Sequence, residues 1–173
     1  MSSLLRKEKT THEWASLANA KTERKIWRFA DRWVGTPYLC GNRARQGGVD
    51  CAQLIAAFMD FMYDAEEPTI LPRMSPDTGV HNQSAAWRTV AALRRVYDYS
   101  VIESNVIQPG DVILTRATFD IDGPPNIGHA IIAMPRDLTG LHAYPLSGVN
   151  LTTLSHTKGI LKVFRFKGME KNE

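Results

Sequence analysis

Apolar residues in the first part of the chain recur at the spacing of an amphipathic helix. In "TERKIWRFADRWV" the apolar side chains are three, one and three residues apart, at Ile26, Phe29, Ala30 and Trp33. This pattern predicts a helix with one buried face and with Thr22 as its N-cap. The helix should end at "GTPY", because Gly35 can adopt a left-handed conformation and Pro37 cannot continue a helix.

A second helix is predicted over "CAQLIAAFMDFMY", residues 51–63, with Asp50 as its N-cap. This segment is apolar nearly all round, which is typical of a helix at the centre of a domain. Residues 66–84 contain three prolines and one glycine and predict a long irregular loop, and loops of this length are often functional. Helical spacing returns over residues 84–99, with Ser84 as the cap.

Beyond residue 100 the spacing changes to that of short strands. Five strands are predicted, in "QPGDVILTR", "IGHAIIAM", "LHAYPL", "GVNLTTLS" and "ILKVFRF". Four residues of the last segment are expected on one face of its strand: Ile160, Lys162, Phe164 and Phe166. Helices followed by a run of strands predict an α+β domain, with N-terminal helices packed on a mainly antiparallel sheet of about five strands.

The composition fits one globular domain. The chain has 173 residues, 43% of them hydrophobic, and can bury a core without disulfides or a structural metal. We expect a loosely ordered segment over residues 1–21, one folded domain over 22–167 and a tail over 168–173. No apolar run is long enough for a signal peptide or a membrane helix, so we expect cytoplasmic synthesis and no membrane insertion. The net charge of +3 is scattered along the chain, which argues against nucleic-acid binding.

The two cysteines, Cys40 and Cys51, are expected to be free thiols, because a reducing compartment disfavours a disulfide. Cys51 follows "GGVD" at the predicted start of the second helix. There, unpaired backbone N–H groups and the helix dipole favour negative charge, so we expect a lowered thiol pKa and a nucleophilic thiolate. Gly47 and Gly48 would leave room for a substrate backbone. Cys40 is interpreted as a small packing thiol, and packing is also the alternative role for Cys51.

Five histidines could supply a base to such a thiol. Three of them lie in polar segments and are expected at the surface: His12, His81 and His156. His129 opens an apolar strand, and His142 lies 13 residues later on the next one. A tight turn at "PRDLTG" would bring the two side by side, so that His142 orients His129. The spacing of cysteines and histidines does not fit a zinc site, and we expect no cofactor.

Four blocks of the sequence, in order, resemble the signature blocks of the NlpC family of bacterial cell-wall cysteine peptidases: "GTPYLCGNRARQGGVDCAQL", "PGDVILTR", "GHAIIAM" and "LHAYPLSGVNLTTL". The resemblance runs from Trp27 to Phe166 and is greatest to the phage-associated branch, whose members also end in an "FR"-type strand. It implies a papain-like fold and a Cys-His-His triad. In that triad Cys51 is the nucleophile, His129 the general base and acid, and His142 the third polar residue.

The same resemblance gives roles to two more residues. Tyr38 is implied to reach the cleft and to donate its phenol to the oxyanion or the substrate, alongside the backbone N–H of Cys51. Asp50 occupies the position at which family members with stem-peptide specificity bind the free amine of the substrate. From the residues alone, Tyr38 could equally be a core aromatic and Asp50 a plain helix cap. Ala52 replaces the serine that many family members place after the cysteine, a group linked to recognition of that amine.

The function implied is hydrolysis of an amide bond in peptidoglycan stem peptides, on the D-glutamyl to diamino-acid side. An enzyme without a signal peptide would reach the cell wall through a phage tail, a secretion apparatus or lysis. Two alternatives remain open. The chain could be a structural or assembly module of a phage tail with little activity, or a thiol acyltransferase or hydrolase of an amide outside the wall.

Overall fold

A computed structural model describes the greater part of the chain. The described residues are 13–14, 19–71, 93, 96–97, 99–102, 106–116, 128–154 and 160–167. The predicted loop over residues 66–84 is described only as far as Leu71, and most of the predicted helix over residues 84–99 lies outside the described residues. Three histidines also lie outside them: His12, His81 and His156.

The helices are α1 (Ala20–Trp33) and α2 (Cys51–Met62). The strands are β1 (Glu13–Trp14), β2 (Arg43–Ala44), β3 (Gly48–Val49), β4 (Tyr99–Ile102), β5 (Val106–Ile107), β6 (Val112–Arg116), β7 (Gly128–Ala133), β8 (Thr139–Tyr144), β9 (Gly148–Thr153) and β10 (Ile160–Phe166). β1 and the start of α1 thus fall within the segment predicted to be loosely ordered. In the described part of the chain, no helix reaches the length and hydropathy needed to cross a membrane.

α1 begins before the residue that the sequence predicted as its cap. The side chain of Asn19 accepts hydrogen bonds from the backbone N–H groups of Lys21 (2.9 Å) and Thr22 (3.3 Å). Asn19 is therefore the N-cap and the prediction of Thr22 was wrong, because both residue types cap helices and the pattern did not distinguish them. The end of the helix is as predicted, with Gly35 at φ +85°. The predicted apolar face is confirmed by the burial of all its members: Ile26, Phe29, Ala30 and Trp33.

α2 is the central element of the domain. Asp50 caps its start as predicted, and its residues are buried without interruption from Leu54 to Asp60. The helix packs against α1 and against β7 and β8. Phe58 meets Phe29 of α1 edge to face, with ring centroids 5.2 Å apart. Because burial of such a side chain contributes about 2 to 3 kcal/mol, this packing holds the first residue of α2, Cys51, in a fixed position.

The main sheet is antiparallel and has six strands in the order β4-β10-β6-β7-β8-β9. The five strands predicted from the sequence are all present, as β6 to β10. The sixth, β4, was missed, because Tyr99 was assigned to the end of the predicted helix over residues 84–99. Leu93 and Val96 are helical, whereas the backbone of β4 pairs with β10 at the sheet edge. Pairing with a strand distant in sequence overrides the local helical spacing.

β10 does not keep one face along its whole length. Its register against β6 is irregular between Ile160 and Lys162. Phe164 and Phe166 lie in the main core with α2, whereas Ile160 packs with Val163 in a smaller core formed by the opposite face of the sheet. The prediction of a single face from Ile160 to Phe166 was therefore wrong, because the irregularity turns Ile160 over.

The turn between β8 and β9 is pressed against the segment that follows α1. The N–H of Val149 donates to the carbonyl oxygen of Thr36 (2.8 Å), and the N–H of Gly35 donates to the carbonyl oxygen of Val149 (2.9 Å). Gly148 has φ +66°, and a methyl group on its Cα would lie 2.3 Å from the Thr36 oxygen. Glycine is required here, because any side chain would separate β9 from the segment that leads to Tyr38.

Gly148→Ala is expected to lower the free energy of unfolding by about 3 kcal/mol, because a backbone clash adds to the cost of the left-handed φ. Gly41→Ala is the matched control: Gly41 has φ +73°, but no atom of the described residues lies within 4 Å of an added methyl group. The control should lose only about 1 kcal/mol, the cost of the φ angle alone. Urea unfolding measures both. Equal losses of unfolding free energy in the two variants would show that the close approach to Thr36 does not contribute to stability.

Candidate active site

Asp50 is a buried helix cap at the entrance to α2. Its Oδ1 accepts a hydrogen bond from the N–H of Gln53 at 2.7 Å, and its Oδ2 accepts one from the N–H of Gly41 at 2.6 Å. Burial raises the pKa of the Asp50 carboxyl, while the backbone hydrogen bonds act in the opposite direction. The cap therefore fixes both the first turn of α2 and the turn that contains Gly41.

Cys51 is the first residue of α2, and its thiol lies at the start of β7. The sulfur is within hydrogen-bond reach of the backbone N–H of Ala130, the residue after His129, and of N–H groups at the helix start. Burial, followed by the charge of Asp50, raises the pKa of Cys51 to about 12 in spite of these donors. The resting thiol is neutral, so the expectation of a lowered pKa was wrong. The N–H groups at the helix start lower the thiol pKa as expected, but burial of the sulfur away from water raises it by more.

His129 and His142 form a buried, directly bonded pair. Nε2 of His129 lies 2.7 Å from Nδ1 of His142, and the two residues are 7% and 9% exposed. Burial, with a contribution from His142, lowers the pKa of His129 to about 3. Burial also lowers the pKa of His142, and the hydrogen bond that its ring makes to Asn150 acts in the opposite direction. Both rings are therefore neutral at physiological pH, and the hairpin brings them together as its turn predicted.

Two residues around this pair were not identified from the sequence. Asn150 stands directly opposite His142 in the register of β8 and β9, and its Oδ1 lies 3.1 Å from His142 Nε2. The Tyr144 ring lies 5.7 Å from the His142 ring and 6.3 Å from the His129 ring, centroid to centroid. A signal for Asn150 was present in the sequence. The turn "PLSG" between two predicted strands places residues 142 and 150 in register as cross-strand neighbours.

Tyr38 lies beside the thiol. Its backbone forms a parallel bridge with Val49, which precedes Asp50. Burial, followed by the proximity of Cys51 and Asp50, raises the pKa of Tyr38 well above its usual value. The half-buried phenol therefore stays protonated and can donate a hydrogen bond next to the sulfur.

Gly48 serves packing within the protein. It has φ +110°, and a methyl group on its Cα would lie 2.5 Å from Cβ of Leu39 and 3.3 Å from the carbonyl oxygen of Pro37. The room that Gly48 leaves is thus filled by Leu39, and not by a substrate as the sequence suggested. Gly48 allows the segment that carries Tyr38 to approach the strand that leads to Cys51.

Cys40 is not the packing thiol that the sequence suggested. Both cysteines are free, as expected, but Cys40 is exposed and lies in a turn with Gly41. Partial burial and the charge of Asp50 raise the pKa of its thiol. The interpretation failed because the turn is anchored through the backbone of Gly41, which bonds to Asp50, and not through the Cys40 side chain.

The site combines a half-buried thiol, a neutral imidazole pair and a protonated phenol. Within the described ranges, no three histidine, cysteine or carboxylate side chains lie close enough together to hold a metal ion. The Cys51 sulfur contacts the backbone of the residue after His129. An imidazole within reach of a thiol can take its proton as the sulfur attacks a carbonyl carbon, and can return that proton to a leaving group. Nucleophilic acyl transfer is therefore the chemistry that this arrangement supports.

No protein-family model and no curated protein sequence matches the chain. Among solved structures, the NlpC/p60 domain of the peptidoglycan hydrolase SagA is similar with a TM-score of 0.45 and 15% sequence identity, over 83% of this chain and 97% of that domain. A Staphylococcus aureus protein described as similar to lipoprotein, of the NLP/P60 family, gives a TM-score of 0.50 at 19% identity, over 85% of this chain. The chain has an NLP/P60-type fold. It spans 42% of the length of the S. aureus protein. The α+β, papain-like NlpC-type fold expected from the sequence is confirmed, with Cys51 at the start of its central helix.

The neutral thiol can be tested by alkylation. In a Cys40→Ser background, the rate at which iodoacetamide modifies Cys51 should rise about tenfold per pH unit from pH 6 to 9, because only the thiolate reacts and the pKa lies above this range. A rate that is constant across this range would indicate a thiolate–imidazolium ion pair instead. The Cys51→Ser protein retains the exposed Cys40, and the alkylation rate of Cys40 in that protein serves as the comparison.

Proposed function

We propose that the protein is a cysteine peptidase of the NlpC type that cleaves an amide bond in peptidoglycan stem peptides. One observation carries the proposal: the thiol at the start of α2 lies against the backbone of Ala130, directly after His129. This contact supports an assignment of Cys51 as nucleophile, His129 as base and His142 as orienting group within an NLP/P60-type fold. The four sequence blocks support the substrate assignment.

The proposed reaction begins with attack of Cys51 on the carbonyl carbon of the scissile amide. His129 takes the thiol proton as the S–C bond forms, and the oxyanion accepts hydrogen bonds from the Cys51 backbone N–H and the Tyr38 phenol. The proton on His129 then passes to the amide nitrogen, the C–N bond breaks, and the amine leaves. Water, deprotonated by His129, hydrolyses the thioester to give a carboxylic acid and the free thiol.

The low proton affinity of buried His129 favours one of the two proton transfers and opposes the other. An imidazole that holds a proton weakly returns it readily to the leaving amine, whereas its uptake of the thiol proton is uphill and must be coupled to the attack of the sulfur on the carbonyl carbon. Because thiol and imidazole are both neutral at rest, the charges develop only as the sulfur attacks. The aligned N–H donors and the histidine pair are then in place to stabilise them.

We further propose that the free amine of the stem peptide binds near Asp50. Both carboxylate oxygens already accept backbone N–H groups, so any amine must use their remaining lone pairs. Burial of the carboxylate strengthens its attraction for a nearby cation. Ala52 supplies no hydroxyl to assist. The proposed route to the wall remains a phage tail, a secretion apparatus or lysis.

The test is digestion of purified muropeptides by the reduced protein, with product masses read out. Fragments from a single amide bond are expected, and their masses identify that bond. A muropeptide whose stem amine has been acetylated should be cut more slowly if Asp50 binds that amine. The Cys40→Ser protein is the matched control and should cleave like the wild type. Absence of cleavage of every muropeptide by folded, reduced protein would refute the proposal.

A further inference from the structure

Asn150 makes hydrogen bonds on both sides of its amide. Its Nδ2 donates to the carbonyl oxygen of Gly148 at 3.1 Å and to Oγ of Ser147. Its Oδ1 lies 3.1 Å from Nε2 of His142, whose Nδ1 lies 2.7 Å from Nε2 of His129. A continuous chain of hydrogen bonds therefore runs from a backbone carbonyl to the imidazole of His129, the residue before Ala130, whose backbone N–H contacts the Cys51 sulfur.

The Gly148 carbonyl fixes the direction of this chain. A carbonyl oxygen can only accept, so the amide group that faces it must be the NH2; the reversed amide would place two oxygens 3.1 Å apart. The Asn150 oxygen thus faces His142 Nε2, which must carry a hydrogen. A neutral His142 then has its lone pair on Nδ1, which accepts from His129 Nε2–H. Neutral His129 therefore carries its own lone pair on Nδ1.

We propose that Asn150 is a positioning residue that sets the tautomers of both histidines and makes Nδ1 of His129 the nitrogen that receives the Cys51 proton. In the opposite tautomer, Nδ1 of His129 would bear a hydrogen and could not accept the thiol proton. When Nδ1 is protonated, each N–H of the chain points away from His129 toward an acceptor, so His142 and Asn150 stabilise the imidazolium. The consequence for catalysis rests on the proposed function, whereas the tautomer assignment does not.

Two variants and a matched control separate positioning from a structural role. Asn150→Leu removes the acceptor for His142 and should lower kcat about 10- to 100-fold with little change in KM, because the base is mispositioned only for the chemical step. Asn150→Asp keeps an oxygen acceptor and should have most of the wild-type kcat. Its negative charge should raise the pKa of the histidine pair and so move the acid limb of the pH profile to higher pH. Thr153→Val, at an exposed site on the same strand, should change neither quantity.

Nitrogen-15 NMR of the histidine rings in the Cys51→Ala protein reads the tautomers without any substrate. We expect Nε2 of His129 and of His142 to be protonated, and Asn150→Leu to give a mixture for His142. An Nδ1-protonated His129 in the parent protein would overturn the proposal, as would unchanged tautomers and unchanged kcat in Asn150→Leu. If the wild type cleaves no muropeptide, the proposed function fails, and the spectra still decide the tautomers. If Asn150→Leu does not fold, the parent spectrum and Asn150→Asp give the answer.

Discussion

Cys51→Ala is expected to lower kcat/KM for the proposed stem-peptide cleavage by about 10⁴-fold or more, because it removes the atom that forms the covalent intermediate in the proposed mechanism. The fold should be retained. Cys51 is only half-buried, Asp50 still caps α2, and the buried run from Leu54 to Asp60 is untouched. Product formation by mass spectrometry and thermal unfolding, measured on the same preparation, test both halves of this expectation.

Cys40→Ala is the matched control for that experiment. Cys40 is the second free thiol, it is exposed, and it lies near Asp50 in the turn before β2. We expect wild-type cleavage from this variant. If loss of Cys40 removed cleavage and loss of Cys51 did not, the site would have been assigned to the wrong cysteine.

His129→Ala is expected to lower kcat about 10³-fold and to leave KM within a factor of about three, because the imidazole transfers protons only during the reaction. The loss should exceed that of Asn150→Leu, since Asn150 acts through His142 whereas His129 moves the proton itself. Steady-state kinetics with one defined muropeptide would give both constants.

A double variant provides the control for the assignment of His129, because the losses of two residues that act together do not add. In the proposed mechanism Cys51 and His129 act as a unit, so the double variant Cys51→Ala/His129→Ala should be no slower than Cys51→Ala alone. Losses that multiply would indicate that His129 contributes through some other route, such as substrate binding. Unfolding of each single variant should be measured in parallel, because His129 is buried at the start of β7.

Much of the arrangement could be predicted from local sequence pattern. The spacing of Ile26, Phe29 and Trp33 fixed a helix face, and the apolar run after Asp50 predicted a buried helix beginning at Cys51. Strand patterns and a tight turn predicted the neighbouring positions of His129 and His142. These features depend on periodicity and on turn chemistry, which act between residues close in the chain.

The features that could not be predicted depend on tertiary packing. The strand β4 forms because its backbone pairs with β10, which is distant in sequence, and no local pattern predicts that pairing. Burial raises the pKa of Cys51, and this effect outweighs the backbone hydrogen bonds from the helix start and from Ala130. Asn150 lies beside His142 because the two residues are paired in the register of β8 and β9. The predicted cap of α1, Thr22, was wrong because asparagine caps helices as well as threonine does, and Asn19 lies three residues earlier.

The central claim is that Cys51 forms a thioester with the stem peptide, and trapping that intermediate tests it most directly. The Cys40→Ser protein would be mixed with a muropeptide, quenched in acid during turnover, and analysed by intact mass and peptide mapping. We predict an added mass equal to the acyl part of the substrate, on the peptide that contains Cys51. Cleavage that continues after Cys51 has been fully alkylated in this background would contradict the account.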